Sequence, residues 1–489
     1  MEKDPIIQAD IKKLTFPPSA QAVLREIDFT VHRGDFIAVT GEAASGKSML
    51  LHAITGAAVK FYDGVLEGSI RILGEDVAEL PLSKVCRSVG FMLQEPQNQI
   101  VSVTVEEEVA FGPANLCCSR REIKERTAEA LSFVGLRGME QRSTTALSGG
   151  QAQRLVLAGI LALKTPILLL DQPGAELDPA GKRELYHHIR RLNREQGVTV
   201  LLIPDSGVEI PAYANRIFQL KNGSLTEPSP ESYAPLRPIL PQRRPRPKEG
   251  ERVISLRDVA YTYKNGQLGC EGIHADIFSG EFVSIMGENG SGKTTLLKLI
   301  EGLLTPCCGE IRVFGEAITK KSAAKIRRSI GFLFQNPDLQ IFASSVREEV
   351  AFGLKGLSLA EEEREERIDS VLSAVGLKDY AQSHPQKLSR SQRQKLAFAS
   401  ALIHRPRLII ADEPTAGLGE ADGITLMELL ADFCAQGGTV LLVTHDFALA
   451  EAYSHRVLLL DAHHLIGDYP GEKLSTAAPA LLREGKVIQ

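Results

Sequence analysis

The sequence repeats itself, and the length of the repeat sets the size of the unit that folds. Segments of the first half recur in the same order in the second half, at 88–96 and 329–337, 108–112 and 349–353, and 167–171 and 408–412. The separation is 241 residues at these segments and 246 residues at two glycine-rich loops nearer the start of each half. Chance does not hold one register over so much of a chain, so the sequence predicts a tandem duplication with one short indel.

A proline-rich stretch separates the two halves. Prolines recur between residues 228 and 247, and because proline fixes φ and lacks a backbone donor, this stretch is predicted to be an extended connector. The prediction is a first domain over residues 1–226, a linker over 227–250 and a second domain over 251–489. Four basic residues of the linker could contact lipid headgroups, although a solvated linker is the preferred interpretation. They are Arg243, Arg244, Arg246 and Lys248.

Composition excludes several classes of protein. The chain has 489 residues, 43% of them hydrophobic, which is typical of a globular protein with two or three domains. A net charge of −5 argues against a nucleic-acid binder. No stretch approaches the roughly 20 apolar residues that span a bilayer, and the first residues do not resemble a signal peptide. The seven cysteines lack metal-ligand spacing, so reduced thiols in a cytosol are expected.

Each half contains a glycine-rich loop between a short apolar run and a helix-forming segment. Such a loop wraps phosphate groups with backbone N–H donors at a helix N-terminus, while its lysine adds a positive charge and its hydroxyl residue a ligand for Mg²⁺. In the first half the predicted phosphate-binding residues are Gly41, Gly46, Lys47 and Ser48. In the second half they are Gly287, Glu288, Asn289, Gly290, Ser291, Gly292, Lys293, Thr294 and Thr295. The same motif in the same context twice makes an accidental match improbable.

Short apolar runs in each half predict the buried strands of a mostly parallel sheet. Two of these runs end in an aspartate, Asp171 in the first half and Asp412 in the second. An aspartate after a strand is usually an ordinary loop residue, but beside a phosphate loop it fits a carboxylate that helps to hold Mg²⁺. Helical spacing of apolar residues over 122–136 and 364–377 predicts a small helical subdomain in each half.

The motif Leu-Ser-Gly-Gly-Gln at 147–151, directly before a helical segment, adds a family resemblance. Together with the phosphate loops and with Gln94 and Gln335, it resembles the ATP-binding-cassette (ABC) ATPases over nearly the whole chain. The resemblance implies an α/β fold of two tandem P-loop NTPase domains. Each would have a mostly parallel sheet core, an antiparallel β subdomain and a helical subdomain. ATP and Mg²⁺ are the implied cofactors, and hydrolysis of ATP to ADP and phosphate is the implied reaction.

The resemblance also implies a role for individual residues. Glu413 matches the catalytic glutamate and His445 the switch histidine, acting with Gln335 and Lys293. Phe16 and Tyr263 match the aromatic residue that stacks on adenine, with a core aromatic as the alternative. The implied Mg²⁺ ligands are Ser48, Asp171, Thr294, Gln335 and Asp412. The implied signature residues, which close on the nucleotide held by the other half, are Ser148, Gly149, Gly150 and Gln151.

Departures from the family pattern affect only one of the two implied nucleotide sites. Gln172 and Asp205 stand where the second half has Glu413 and His445. The second signature reads Leu-Ser-Arg-Ser-Gln at 388–392, without glycines, and Gly419 stands where the first half has Asp178. Because signatures act on the opposite half, all of these changes converge on the nucleotide of the first loop. The sequence therefore predicts one hydrolytic site and one degenerate site within an intramolecular pseudo-dimer.

The segments after Gln94 and Gln335 resemble a particular branch of the family. The runs 94–100 and 335–342, followed by 104–113 and 345–353, look like the ATPase subunits of energy-coupling-factor (ECF) transporters. The resemblance implies vitamin or metal-ion import in a prokaryote, at the cytoplasmic face of the cell membrane. The implied partners are a membrane coupling subunit and a substrate-binding membrane subunit, with no nucleic acid. Gln99 and Gln340 match the second glutamine of that group, with a helix-capping residue as the alternative.

A soluble tandem ABC ATPase that acts on the ribosome is the alternative function. Such factors usually carry a long charged linker and keep both catalytic glutamates, whereas this linker is short and proline-rich and Gln172 replaces one glutamate. Chromosome and DNA-repair ATPases would need a coiled-coil insertion or zinc cysteines, and neither is present in the sequence. The transported substrate cannot be read from this chain, because nothing in the predicted ATP sites contacts it.

Overall fold

The computed structural model describes residues 4–17, 21–42, 45–94, 96–175, 177, 179–204, 210–228, 250–355, 357 and 359–474. The chain divides into two compact units, Met1–Arg237 and Pro238–Gln489. Most of the predicted linker lies outside the described residues, so its boundaries stay a prediction. None of the described helices is long and apolar enough to cross a membrane.

The first unit contains two β-sheets and a set of helices. Its strands are β1 (Pro5–Thr15), β2 (Ala22–His32), β3 (Phe36–Gly41), β4 (Val65–Ile72), β5 (Glu75–Asp76), β6 (Val89–Met92), β7 (Ile167–Asp171), β8 (Thr199–Ile203), β9 (Arg216–Lys221) and β10 (Ser224–Thr226). Its α-helices are α1 (Lys47–Ile54), α2 (Ala57–Lys60), α3 (Leu82–Ser88), α4 (Val105–Asn115), α5 (Arg120–Phe133), α6 (Gly149–Ala162) and α7 (Pro179–Gln196).

The second unit repeats this plan. Its strands are β11 (Arg252–Thr262), β12 (Leu268–Phe278), β13 (Phe282–Met286), β14 (Cys308–Val313), β15 (Glu316–Ala317), β16 (Ile330–Leu333), β17 (Leu408–Asp412), β18 (Thr439–Val443), β19 (Arg456–Asp461) and β20 (His464–Pro470). Its α-helices are α8 (Lys293–Ile300), α9 (Ala323–Arg327), α10 (Val346–Phe352), α11 (Glu361–Ala374), α12 (Arg390–Leu402), α13 (Glu420–Ala435) and α14 (Phe447–Tyr453).

The larger sheet of each unit is parallel except at one edge. In the first unit the strand order is β10-β9-β3-β8-β7-β6, and in the second it is β16-β17-β18-β13-β19-β20. Only the outermost pairs, β9 with β10 and β19 with β20, are antiparallel among the described strands of these sheets. The smaller sheets, of order β2-β1-β4-β5 and β12-β11-β14-β15, are antiparallel. The predicted fold class is confirmed.

Each parallel sheet is buried on both faces, which explains its continuous apolar strands. Side chains alternate across a strand, so Ile167 and Leu169 of β7 pack into a core with α1 and the antiparallel sheet. Leu168 and Leu170 face the opposite core, which they share with α4 to α7. The twin strand β17 divides its side chains between two cores in the same way. The strand ends therefore stand between rigid layers, where a polar side chain can be positioned accurately.

Candidate functional site

The two phosphate loops have the same backbone geometry. Each runs from the end of a central strand into a helix, from β3 to α1 and from β13 to α8. Gly46 and Gly292, directly before these helices, both have φ of 101°, a conformation that favours glycine. The loops therefore deliver a helix N-terminus to the carboxyl end of the sheet, as the sequence predicts.

The loop lysines donate to carbonyls at the start of their own loops. Lys47 Nζ lies 2.9 Å from the Gly41 carbonyl oxygen and 2.6 Å from that of Glu42. Lys293 Nζ lies 2.7 Å and 2.8 Å from the matching oxygens of Gly287 and Glu288. These contacts hold a positive charge against each loop, where a phosphate group would be neutralised.

Two buried hydroxyls indicate that the loops fit an external ligand. Ser45 Oγ and Ser291 Oγ are buried in matching loop positions and have no hydrogen-bond partner among the described residues. A buried polar group without a partner costs about 1–3 kcal/mol, so such a hydroxyl favours a ligand that supplies one. Gly290 has φ of 85°, whereas the matching residue of the first loop is Ala44, which lies outside the described residues. The sequence comparison had not singled out this difference.

The first glycine of each loop is required by a close approach of backbone. A Cβ added at Gly287 would lie 2.2 Å from the Leu460 carbonyl oxygen, and one at Gly41 would lie 2.3 Å from that of Leu220. Both neighbours are backbone atoms of a paired strand, β19 and β9, so they cannot turn aside as a side chain can. The loop and the neighbouring strand must shift together to accept any side chain.

Gly287→Ala is therefore expected to destabilise the second unit and to distort its phosphate loop. Overpacking of this kind costs about 1–3 kcal/mol, and thermal unfolding should show a lower melting temperature. Gly315→Ala is the matched control for the loss of a glycine at positive φ, because a Cβ there meets no atom within 4 Å. Equal melting temperatures for the two variants would contradict the steric argument.

In the second unit the predicted Mg²⁺ ligands meet. Thr294 Oγ1, at the start of α8, donates to Asp412 Oδ2 at the end of β17 over 3.3 Å. Burial raises the pKa of the Asp412 carboxyl to about 6, and the charge of Glu413 adds to the rise. The Thr294 hydrogen bond and the charge of Lys293 act in the opposite direction. A buried carboxylate that is costly to ionise alone is well suited to a divalent cation. Asp171 holds the same place, buried, at the end of β7.

A second buried acid next to Asp412 was missed by the sequence analysis. Glu301 follows α8, and burial raises the pKa of its carboxyl to about 7. The charge of Arg327 lowers that pKa and the charge of Asp412 raises it. The only sequence signal was a difference between the halves, because Thr55 stands at the matching position after α1. The nucleotide site of the second unit therefore has one more buried acidic residue after its phosphate-loop helix than that of the first unit.

Three predicted catalytic side chains form one cluster in the second unit. Gln335 Nε2 donates to Glu413 Oε2 over 3.2 Å, and His445 Nδ1 lies 3.4 Å from the same oxygen. Glu413 has φ of 46°, a left-handed conformation that costs energy in a non-glycine residue and recurs at functional sites. The cluster thus holds a carboxylate between an amide and an imidazole at the end of the sheet.

The first unit has the same arrangement with the carboxylate replaced. Gln94 Nε2 donates to Gln172 Oε1 over 2.9 Å, and Gln172 has φ of 49°. The geometry is retained, but an amide oxygen cannot take a proton as a carboxylate can. Asp205 and Asp178, which complete the predicted contrast between the halves, lie outside the described residues.

Both signature segments begin a helix with the same cap. Ser148 and Gln151 form a reciprocal capping box at the start of α6, and Ser389 and Gln392 form another at the start of α12. The Ser-x-x-Gln spacing was a sequence signal for this cap. The altered second signature therefore still starts a helix. It differs in the side chain of Arg390, whose Nη2 donates to the Ala416 carbonyl oxygen over 3.2 Å.

The predicted adenine-stacking rings have different surroundings. Tyr263 OH lies 2.9 Å from Thr295 Oγ1 of α8, so this ring is tied to the helix that the second phosphate loop begins. Phe16 packs against the core between the sheets of the first unit, beside Gly64. The environment of Phe16 matches the core alternative, and the stacking role of both rings stays a prediction.

The second glutamines of the two halves also make different contacts. The Gln99 side chain accepts from Leu93 N over 2.8 Å and donates to the Phe91 carbonyl oxygen over 3.0 Å, which ties it to the segment that carries Gln94. Gln340 Nε2 instead lies 3.4 Å from the Ala397 carbonyl oxygen of α12, and its Oε1 is buried without a partner among the described residues.

Comparison with known proteins identifies the class to which this site belongs. Residues 24–175 and 270–416 match the ABC transporter family, so more than half of the chain is covered and each phosphate loop lies in a matched segment. The chain belongs to this family and is an ABC ATPase with two tandem ATP-binding domains, which binds ATP and hydrolyses it.

Relatives span nearly the whole chain. An ABC transporter ATP-binding protein of Methanosarcina mazei is 34% identical, with 94% of this chain and 87% of the relative covered. One from Caldanaerobacter subterraneus subsp. tengcongensis is 32% identical, with 92% and 89% covered. Their names state no substrate. Among solved structures, cbiO1 from Clostridium perfringens, part of the ABC transporter complex cbiONQ, is 30% identical. It covers 47% of this chain and 94% of its own, with a TM-score of 0.45.

Proposed function

We propose that this chain energises a membrane importer of the energy-coupling-factor type, which takes up a vitamin or a metal ion. The observation that carries the proposal is a pair of matching exposed apolar surfaces, one in each unit, next to the predicted nucleotide-sensing glutamines. In the second unit the surface is formed by Leu339, Phe342 and Phe352, and in the first by Val101, Val103 and Phe111. We call these the docking surfaces.

Each docking surface is held in place by a buried acid. Glu349 of α10 is buried, and its Oε2 accepts from Phe342 N over 2.9 Å and from Ala343 N over 2.8 Å. Glu108 of α4 does the same for Val101 N and Ser102 N, at 2.9 Å and 2.8 Å. A buried carboxylate here fixes a loop whose apolar side chains point to solvent. Phe342 is 64% exposed and Val101 65% exposed. Apolar side chains fixed in an exposed position are typical of a protein-binding surface.

The position of these surfaces supports a partner that responds to ATP. The loop with Val101 follows Gln99, which is tied to the backbone next to Gln94. Gln94 in turn contacts Gln172, and Gln335 contacts Glu413. In the first unit a change at the cluster would therefore reach the docking surface through the contacts of Gln99, and in the second unit the chain from Gln335 to Leu339 connects the two. Such coupling suits a membrane subunit that changes conformation with each ATP cycle.

Within this function, the two predicted composite sites divide the work. One combines Lys293, Asp412, Glu413, Gln335 and His445 with the first signature, Ser148, Gly149, Gly150 and Gln151. The other combines Lys47, Ser48, Asp171, Gln94 and Gln172 with the altered signature of α12. Glu413 is the general base at the first of these sites. The composite site of the first loop keeps the groups that bind ATP but holds Gln172 in place of the base. It therefore retains nucleotide and turns it over slowly.

Mg²⁺ fits the acidic groups at the strand ends. Thr294, Asp412 and Gln335 would hold it in the second unit, and Ser48 and Asp171 in the first. When bound, the ion offsets negative charge on the phosphates. The raised pKa of the Asp412 carboxyl supports this role, because the nearby cation would favour the ionised form.

Affinity purification of the intact chain from its native cells, in mild detergent, tests the proposal. The expected result is co-purification of two small multi-spanning membrane proteins, identified by mass spectrometry, and the substrate-binding one would reveal the cargo. Ribosomal proteins in their place, or no membrane protein at all, would contradict the importer and favour the soluble tandem ATPase.

Phe342→Asp combined with Phe352→Asp is expected to remove the membrane partners from the same purification. Each aspartate replaces an aromatic ring by a carboxylate, and a partner that binds this surface would have to remove the water around that charge, which is costly. Basal ATPase activity of the purified chain should stay unchanged, because neither residue belongs to the predicted catalytic groups. Ile466→Asp is the control, an exposed apolar residue of β20 outside the docking surfaces. Equal partner recovery for both proteins would show that the docking surface is misplaced.

A further inference from the structure

The first unit contains a cavity of about 270 Å³ that the nucleotide sites do not use. Its apolar wall includes Ala130, Phe133, Ile160, Leu168 and Leu192, which belong to four different elements. Its charged positions are Arg33, Arg126, Glu129 and Lys164. The volume lies just below the about 300–1,000 Å³ typical of small-molecule pockets, so the cavity suits a compact molecule.

The cavity lies where two parts of the unit meet. One side is formed by α5 and α6, through Ala130 and Ile160. The other side belongs to the sheet layer, with Leu168 on β7 and Leu192 on α7. Helix α6 begins at the signature serine Ser148, and β7 ends at Asp171. A molecule in this cavity would therefore contact the signature helix and the strand that leads to the first phosphate site.

The charges around the cavity favour an anion. Lys164 Nζ is paired with Glu129 Oε2 at 2.8 Å, and Arg126 is engaged by Glu122 and by two backbone carbonyls. Arg33 is exposed, and within the described part of the chain no ion pair or side-chain hydrogen bond involves its guanidinium. The mouth of the cavity thus offers one uncommitted cation beside an apolar wall. A ligand with an apolar body and one anionic group would satisfy both.

The matching place in the second unit is occupied by a larger side chain. Asn193 Nδ2 donates to the Gly34 carbonyl oxygen, and Cys434 Sγ contacts the carbonyl oxygen of the matching Gly280, which aligns α7 with α13. Leu192 therefore corresponds to Phe433. The Phe433 ring is so close to Gly438 that an added Cβ there would lie 2.3 Å from it.

The wall residues change together with this ring. Phe133 and Ile160 of the first unit correspond to Ala374 and Ala401 of the second. Smaller residues on one side and the buried Phe433 on the other fill the second unit in a different way. The shape of the cavity is thus a property of the first unit and not a general consequence of the fold.

We infer that this cavity is a binding site for a small amphipathic anion, an aromatic or short acyl body that carries one carboxylate or sulfonate group. The apolar body packs against Phe133, Ile160 and Leu192, and the anionic group pairs with Arg33. Binding braces α6 against β7. Since α6 carries the first signature, the ligand would also alter ATP turnover, and this second effect rests on the division of labour proposed above.

Fluorescence titration with anilinonaphthalene sulfonate, on the full chain with saturating Mg-ATP to fill the nucleotide sites, tests the binding site directly. This probe combines aromatic rings with one sulfonate, so one saturable site per chain is expected. Leu192→Phe places a ring at the cavity wall, as in the second unit. The ring occupies space that the probe needs, so binding should weaken at least about tenfold. Arg33→Ala should weaken binding about three- to tenfold, as for the loss of an exposed charged contact.

Arg71→Ala is the control, because Arg71 is also exposed and does not line the cavity. It should bind the probe as the unaltered chain does. If Leu192→Phe fails to fold, as judged by its melting curve, Arg33→Ala against Arg71→Ala decides the question, since both are surface changes. Unaltered affinity in Arg33→Ala together with probe binding by folded Leu192→Phe would overturn the proposed site.

ATPase measurements separate this site from the proposed function. A probe-dependent change in turnover that is absent in Leu192→Phe supports coupling through α6. Probe binding that depends on Leu192 and Arg33 without any change in turnover would support the binding site and overturn the coupling.

Discussion

Replacement of Glu413 by glutamine is expected to reduce steady-state ATP turnover by about 10²–10⁴-fold, the usual contribution of a general base. On the transition-state scale this is roughly 3–5 kcal/mol. The variant keeps the shape of the side chain and its contact with Gln335, since an amide oxygen can still accept that hydrogen bond. What it loses is the ability to take a proton. A coupled-enzyme assay of phosphate release checks the rate, and nucleotide binding should be retained.

The chain supplies its own control for this variant. In the first unit Gln172 already holds the place of the base, with the same hydrogen bond from Gln94 and the same left-handed backbone. Gln172→Ala should therefore leave turnover within about twofold. Gln172→Glu should not restore a second fast site, because the composite site proposed for the first loop would still include the glycine-free signature of α12. Substantial turnover in Glu413→Gln would mean that Glu413 is not the base.

The sequence predicted the fold because the signals for it are local. A glycine-rich loop between an apolar strand and a helix specifies its own backbone, and two copies in register specify two similar domains. The mostly parallel core and the antiparallel smaller sheet came from the family resemblance, and the structure confirms them, while the order of the strands was not predicted. Capping boxes at Ser148 and Ser389 were also readable, because their partner residues are three positions away.

Other features depend on residues far apart in the chain and could not be predicted. Glu301 follows α8, but its raised pKa comes from burial and from Asp412, more than a hundred residues later. The cavity depends on Leu192 and Ile160, in separate helices, both differing from their counterparts in the second unit. In the sequence these are isolated differences between the two halves, and only the fold shows that the residues lie next to each other. The roles of the site residues stay predictions, because their contacts fit those roles without testing them.

Replacing each of the two loop lysines separately by alanine is expected to have unequal effects on ATP turnover. Lys293→Ala removes a buried charge that acts on Asp412 and should lower turnover about 10²-fold or more, since charge stabilisation at a reacting phosphate is worth several kcal/mol. Lys47→Ala removes the matching charge from the slow site. It should chiefly lower the amount of nucleotide that stays bound, and turnover should fall by less than about tenfold.

Two measurements on the same variants distinguish this from two equivalent sites. Phosphate release reports turnover, and nucleotide retained after rapid desalting, in the presence of Mg²⁺, reports occupancy of the slow site. Lys47→Ala should lose the retained nucleotide while Lys293→Ala keeps it, because slow hydrolysis at Gln172 is what preserves the bound ATP. Equal losses of turnover in the two variants would mean that both sites hydrolyse. Gln172 would then not make its site slow, and the proposed division of labour between the two sites would be wrong.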